Sequence, residues 1–261
     1  MKENPIISII TVVYNGAEYI EETILSIINQ NYPAIQYIVI DGGSTDGTIQ
    51  IINKYKDRID YLLSEPDKGI YNAMNKGINF CKGDWVNFMN CGDTFYNHST
   101  ITAVFTDESI KDVDIIYGRH QVSYKGKKIF KNPAPIKNLW MGMTIQHQSV
   151  FVKTELLTLR LFDESYTFAA DYDLFYEYYK IGKTIKYLNY VISTVEAQGF
   201  SESNNVKTYL EFRDIALKFE GNVAYIKLYY DRLLAKRKLI SSIKKIFPFI
   251  DTIRLFFKLN F

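Results

Sequence analysis

Four short stretches gather carboxylates and amides beside glycine: Tyr14-Asn15-Gly16, Asp41-Gly42-Gly43-Ser44, Glu65-Pro66-Asp67-Lys68-Gly69 and Asn90-Cys91-Gly92-Asp93. Any one of them could be a helix cap and nothing more. Each, however, closes an apolar, β-branched run, and in open parallel sheets ligands bind beyond the carboxyl ends of the strands. Four such tips at one edge surround a common crevice with oxygen ligands. An acidic crevice holds a phosphorylated ligand only with a cation between the two. Hard oxygen donors without a Cys/His cluster point to Mg2+ or Mn2+. The segment "EPDKGIYNAMNKG" (65–77) opens a helix near Gly69, and a helix N-terminus favours anionic groups. Asn72 and Asn75 make that helix more polar than packing alone requires.

Periodicity predicts the elements that position these tips. "IISIITVVY" (6–14) is too short and too apolar for anything but a buried strand. Ile20, Ile24, Ile27 and Ile28 then recur at helical spacing across 17–30. A second strand ends at Asp41, and Asp46 is the expected N-cap of a second helix. "IDYLLSEPD" is a third strand, the stretch from Gly69 a third helix, and 84–93 a fourth strand. Strand and helix alternating in units of about 30 residues imply right-handed βαβ crossovers and a doubly wound, mostly parallel sheet flanked by helices. After Asp93 the pattern mixes directions: a helix at "STITAVFTDE", a strand and hairpin at "VDIIYGRHQVSYKGKKIF", strands at "IQHQSVFVK" and "KTIKYLNYVISTVE", and a helix at "ADYDLFYEYYKIG".

Composition narrows the class. Of 261 residues 47% are apolar, which allows a sizeable core. Cys81 and Cys91 are the two cysteines, too few for a disulfide framework, so a reduced, cytoplasmic protein is expected. The N-terminus lacks the pattern of a signal peptide, and no window is apolar enough to span a membrane. From Lys227 onward nine cationic side chains face two anionic ones, a net of +7 within an overall +2, so the preceding body is −5. GxGxxG is absent after the first strand and GxxxxGK[ST] is absent throughout, which argues against dinucleotide and P-loop sites.

"ISIITVVYNGAEYIEETILSIINQNYPAIQYIVIDGGSTDGT", "EPDKGIYNAMNKGI" and "VNFMNCGD" together closely resemble glycosyltransferase family 2, in its bacterial surface-polysaccharide branch, over about residues 6–201. The resemblance implies a GT-A fold. It divides the chain into a catalytic domain, 1–201, with a nucleotide-binding half (1–93) and an acceptor half (94–201), and a basic, aromatic-rich helical extension, 202–261.

The resemblance also implies roles. Thr11, Tyr14 and Asn15 would line the nucleotide pocket, and Asp41 would bind the base, usually uracil. Asp67 and Asn75 would lie beside the nucleotide and sugar. Asn90-Cys91-Gly92-Asp93 stands where the family has its DxD metal motif, with Asp93 as its one acidic residue, the anchor for Mg2+ or Mn2+ on the donor diphosphate, and Asn90 and Gly92 beside it. In "FAADYDLF", Ala170 takes the place of a family glutamate and Asp171 that of the general base, with Asp173 as its competitor. His147 of "IQHQSVF" would neighbour the base or the acceptor. "AQGFS" (197–201) resembles a loop near the donor phosphates, and Glu196 is a further metal candidate.

The expected activity is inverting transfer of one sugar from a nucleoside-diphosphate sugar, a UDP-hexose or UDP-N-acetylhexosamine, to a saccharide acceptor that is free or lipid-diphosphate-linked. A Q/RxxRW signature is absent, which argues against a processive polymerase. The competing readings are a nucleotide-sugar-binding protein without turnover and a nucleotidyltransferase; the latter would need a basic glycine-rich loop where "YNGAEY" stands. The tail, 227–261, alternates basic with apolar residues. It is expected either to lie on anionic lipid at the inner face of the cell membrane or to pack on protein, including a second subunit. Nothing accompanies its charge that would signal nucleic acid.

Overall fold

The computed structural model describes residues 4–124, 127–196 and 205–246 of the protein. Strand β1 (Ile7–Val13) is buried at every position. Its side chains alternate between two cores, as the two-residue period of a strand demands. Ile7, Ile9 and Val13 pack with Ile20, Ile24 and Ile27 of α1 (Ile20–Ile28), whereas Ile10 and Val12 pack with Tyr71, Met74 and Ile78 of α3 (Ile70–Ile78). A helix layer on each face therefore makes the strand apolar throughout.

β1 pairs in parallel with β2 (Ile35–Asp41) and β4 (Trp85–Phe88), and β2 with β3 (Tyr61–Ser64). The short α2 (Thr48–Asn53) follows Gly47, which sits at a φ of 100°. Asp46 is not the cap residue, although its carboxylate does accept the Thr48 N–H at 3.1 Å. The second half continues the sheet with β5 (Thr94–Phe95), β6 (Ile115–Tyr124), β7 (Lys127–Lys131), β8 (Val150–Lys153) and β9 (Ile185–Glu196). The strand order is β3-β2-β1-β4-β8-β6-β9-β5, with β7 paired to β6. β8 runs antiparallel to both β4 and β6, β5 and β7 are antiparallel to their partners, and β6 and β9 are parallel.

The fourth strand is shorter than the 84–93 run predicts. Beyond Phe88 the chain keeps bonding to β1 through the Met89 and Cys91 N–H groups, then turns: the Asp93 N–H donates to Asn90 C=O at 3.0 Å, with Gly92 at a φ of 94°. That conformation suits glycine at the third position of a tight turn.

Helices α4 (Thr100–Phe105) and α5 (Thr154–Leu159) each join one core, through Ile101 and Val104 and through Leu156 and Leu157, while α6 (Ala170–Lys180) joins two. Ala170, Leu174, Phe175 and Tyr178 of α6 join the sheet core; Tyr172 and Tyr176 join a third core with Ile215, Ala216, Ile226 and Tyr230. Those last four belong to α7 (Asn205–Phe219) and α8 (Val223–Ile246), the C-terminal helices. No helix among the described residues is long and apolar enough to cross a membrane. The loop 197–201 lies outside the described residues, as does the tail beyond Ile246.

Candidate active site

Hydrogen bonds stitch the tips of the first two strands together. Asn15, at a φ of 48°, donates its N–H to Ser44 Oγ (2.7 Å) and accepts the Thr45 N–H on Oδ1 (2.9 Å). Asp41 is fully buried, and its carboxylate accepts from the Gly43 and Ser44 N–H groups and from Ser64 Oγ at 2.6 Å. Its structural work is to shape the loop, so the structure does not leave it open towards a ligand. Gly42 is required by close approach, because a Cβ there would lie 2.4 Å from Asp67 Oδ2. Asp67 Oδ1 accepts the Gly69 N–H (2.8 Å) at the start of α3. Tyr14 is exposed beside this loop.

Two other expected nucleotide residues are placed elsewhere. Thr11 lies inside the sheet, its hydroxyl donating to Met89 C=O (2.8 Å) and accepting from Tyr37 (3.2 Å). At this position its hydroxyl is engaged inside the sheet. Asn75 is buried and bonds both ways with the Phe162 backbone, at 2.9 Å each, and with Glu164 at 2.9 Å. Asn72 also reaches Glu164, at 3.0 Å. The polar side of α3 thus holds the segment before α6.

The fourth tip meets the second half of the chain. Gln148 Nε2 donates to Asp93 Oδ2 at 2.6 Å. Burial pushes the Asp93 carboxyl up to about 7; the Glu196 backbone and Gln148 bonds oppose this only in part. Asn90 Oδ1 is buried without a hydrogen-bond partner among the described residues. One turn therefore presents a desolvated carboxylate and an unsatisfied amide oxygen, both hard donors that fit Mg2+ or Mn2+. Among the described residues no group of three or more His, Cys, Asp or Glu side chains forms a complete cation site. An ion here would draw its remaining ligands from water and phosphate oxygens.

His147 precedes Gln148 in a 3-10 turn, His147–Ser149, rather than in the strand expected for it. Its ring is enclosed by Phe88, Phe162 and Phe175. Nδ1 is 3.7 Å from Asp171 Oδ2, too long for a hydrogen bond, and neither ring nitrogen has a hydrogen-bond partner among the described residues. Burial lowers the His147 pKa, with Asp171 opposing, and so favours the uncharged ring. Of two consecutive residues, Gln148 thus bonds Asp93 and His147 lies beside Asp171 without a bond to it.

Asp171 and its competitor are separated by environment. Asp171, in the first turn of α6, has an 18%-exposed side chain. Its Oδ1 accepts the Tyr71 hydroxyl at 3.1 Å and the Tyr172 N–H at 2.8 Å. Asp173 is 0% exposed and bound by Arg160 (2.5 Å) and Lys218 (3.0 Å), with Arg160 also on Glu177 (2.8 Å). The structure keeps Asp173 out of the cluster and makes it the tie between α6 and α7. Tyr71, Arg160, Glu164 and Lys218 escaped the sequence reading; at helix or loop positions, nothing local distinguishes them from ordinary packing or surface residues.

A sheet of this order, with a parallel nucleotide-type half and a carboxylate turn at its switch to mixed pairing, defines a GT-A-like fold. Solved structures agree. S. aureus TarS in complex with UDP-GlcNAc superposes with a TM-score of 0.66 at 20% identity, over 88% of this chain and 71% of that one. The mannosyltransferase PcManGT from Pyrobaculum calidifontis, in complex with GDP-Man and Mn2+, gives 0.68 at 16% identity, over 99% and 81%.

The profile described as Glycosyl transferase family 2 matches residues 8–170, and the chain belongs to that family. An uncharacterized glycosyltransferase of Rickettsia prowazekii is 30% identical over 69% of this chain; the chain spans 62% of that relative's length. Another, from Haemophilus influenzae, is 27% identical over 94% of both chains.

Proposed function

We propose that this protein transfers one hexosyl or N-acetylhexosaminyl unit from a nucleoside-diphosphate sugar, UDP-linked by preference, to a saccharide acceptor, with inversion. The observation that carries the reading is that Asp93 is bonded by Gln148 at 2.6 Å while Asp171 lies 3.7 Å from the adjacent residue His147. Of the expected donor-site residues, Tyr14, Asn15, Asp67, Asn90 and Gly92 lie on the strand-end tips and are proposed to frame the nucleotide and its diphosphate. Asp93 and Asn90 would hold Mg2+ or Mn2+, which when bound offsets the negative charge that develops on the departing diphosphate.

Asp171 supplies the base. Its Oδ2 takes the acceptor hydroxyl's proton as that oxygen bonds to the anomeric carbon. The bond from that carbon to the phosphate oxygen breaks, and its electron pair leaves with the nucleoside diphosphate. Such proton transfer contributes about 10²–10⁴-fold. Asp171→Asn should keep donor affinity and lose about a hundredfold or more in turnover, measured with UDP-sugars and Mn2+. Wild-type turnover in that variant rejects the assignment. Chelation with EDTA should stop transfer, and Mn2+ or Mg2+ should restore it.

A binding protein without turnover is the second reading. It draws on Ala170, buried where the family resemblance expects a glutamate, and on the turn's single carboxylate. Donor binding with no detectable transfer or donor hydrolysis would favour it.

The catalytic unit is proposed to be 1–201, with 202–261 as an extension that meets the acceptor's environment. Helix α8 exposes Tyr225, Leu228 and Leu239 beside Lys227, Arg232 and Lys236. That combination suits an anionic membrane face presenting a lipid-diphosphate-linked acceptor for surface polysaccharide synthesis. Co-flotation with anionic but not zwitterionic vesicles, lost in Leu228→Glu with Leu239→Glu, tests this. A dimer broken by the same pair would instead assign the face to a second copy.

A further inference from the structure

We propose that Tyr71 is a positioning residue for the transfer: its hydroxyl, by holding one oxygen of Asp171, leaves the other as the proton-accepting atom. The inference rests on the reading of Asp171 as the base and adds which atom works and what holds it. The two oxygens of Asp171 differ. Oδ1 accepts twice, from the Tyr71 hydroxyl at 3.1 Å and the Tyr172 N–H at 2.8 Å. Oδ2 has no hydrogen bond among the described residues; its polar neighbour is His147 Nδ1 at 3.7 Å.

Tyr71 is suited to this work. It is 7% exposed, its ring packs on Phe162 at 5.5 Å, and burial holds its phenol well above the usual tyrosine pKa. It therefore remains a donor at any working pH. The bond joins residues a hundred positions apart, on α3 and α6, so it orients the carboxylate from outside its own helix. The last torsion of a carboxylate is broad and two-fold; the Tyr172 N–H holds Oδ1 from within α6, and Tyr71 adds a second hold from α3. With Tyr71 in place, the lone pairs of Oδ2 remain available and directed. His147 cannot replace it, because its ring is caged by three phenylalanines and both nitrogens are enclosed.

The test is Tyr71→Phe in the full chain, which keeps the ring and the Phe162 contact and removes only the donor. We expect kcat to fall by about tenfold, with donor KM and the thermal midpoint unchanged. In an Asp171→Asn background the same change should cost nothing further, because the group it orients is gone. Four outcomes are distinguishable. A tenfold loss confined to the Asp171 background supports the proposal. An equal loss in both backgrounds, or a rise in KM with kcat unchanged, places Tyr71 elsewhere and overturns it. Unchanged kcat in Tyr71→Phe overturns it as well, while Asp171→Asn remains impaired and the base reading survives. Wild-type activity in Asp171→Asn removes the base reading itself, and the proposal with it.

Discussion

Asp171 and Asp173 stand two positions apart at the start of one helix, yet one is partly open and the other is sealed between Arg160 and Lys218. Asp173→Asn weakens two charge-assisted bonds to a buried carboxylate, while Lys218 stays solvated and Arg160 keeps Glu177. It should lower stability by about 1.5 kcal/mol, seen as an earlier urea midpoint, while turnover per folded molecule is retained. Full stability with lost turnover would exchange the roles of the two aspartates. Asp93 makes a different prediction. Its folded pKa of about 7 lies above the ordinary 3.8 of the unfolded chain. Between those values the folded protein holds a proton that the unfolded chain has released, so metal-free stability should fall as pH rises through that window. Asp93→Asn should flatten the fall, measured as thermal midpoint against pH without divalent ions; parallel curves for the two proteins would refute it. Binding of Mg2+ or Mn2+ near neutral pH should accordingly release a proton.

At the scale of elements, α3 joins the two halves of the site. Its apolar side packs under β1 and β2, and its polar side ties down 162–164 through Asn72 and Asn75. Asn75→Ala would leave the Phe162 N–H and C=O buried without partners. A cost of about 2 kcal/mol or more in urea unfolding is expected, and an unchanged midpoint would contradict the stitch. The polar content of "GIYNAMNKG" had suggested a ligand in front of the helix. Most of that polarity serves neighbouring chain instead, and Tyr71 reaches the proposed base. The loop after β2 is tuned more finely. Gly42→Ala would push against Asp67 Oδ2. It should weaken donor binding several-fold in calorimetry while leaving the thermal midpoint near that of the wild type.

For the whole molecule, α7 and α8 share a core with α6. Ile215, Ala216, Ile226 and Tyr230 cover Tyr172 and Tyr176, on the helix that carries Asp171. Deleting 205–261 should expose this layer and yield an aggregated or strongly destabilised protein. A soluble truncated chain with an unchanged melting point would show the extension to be dispensable. The outer face of α8 can still meet a membrane, because its buried positions Ile226, Tyr230 and Leu234 and its exposed Leu228 and Leu239 lie on different sides.

The sequence by itself determined the alternation of elements, the four polar tips and the family resemblance. These are local properties: strand runs apolar on both faces, glycines at turns, and motifs confined to a few consecutive residues. Tertiary structure alone decided which polar side chains remain free. The resemblance makes Thr11, Asp41, Asn75 and Asp173 site candidates by position, and each is engaged by a partner at least 23 positions away, with Asp173 also bonded to Arg160, 13 positions away. Tyr71, which the sequence does not single out, holds Asp171. A hydrogen bond's direction and a side chain's burial depend on groups that sequence distance does not reveal.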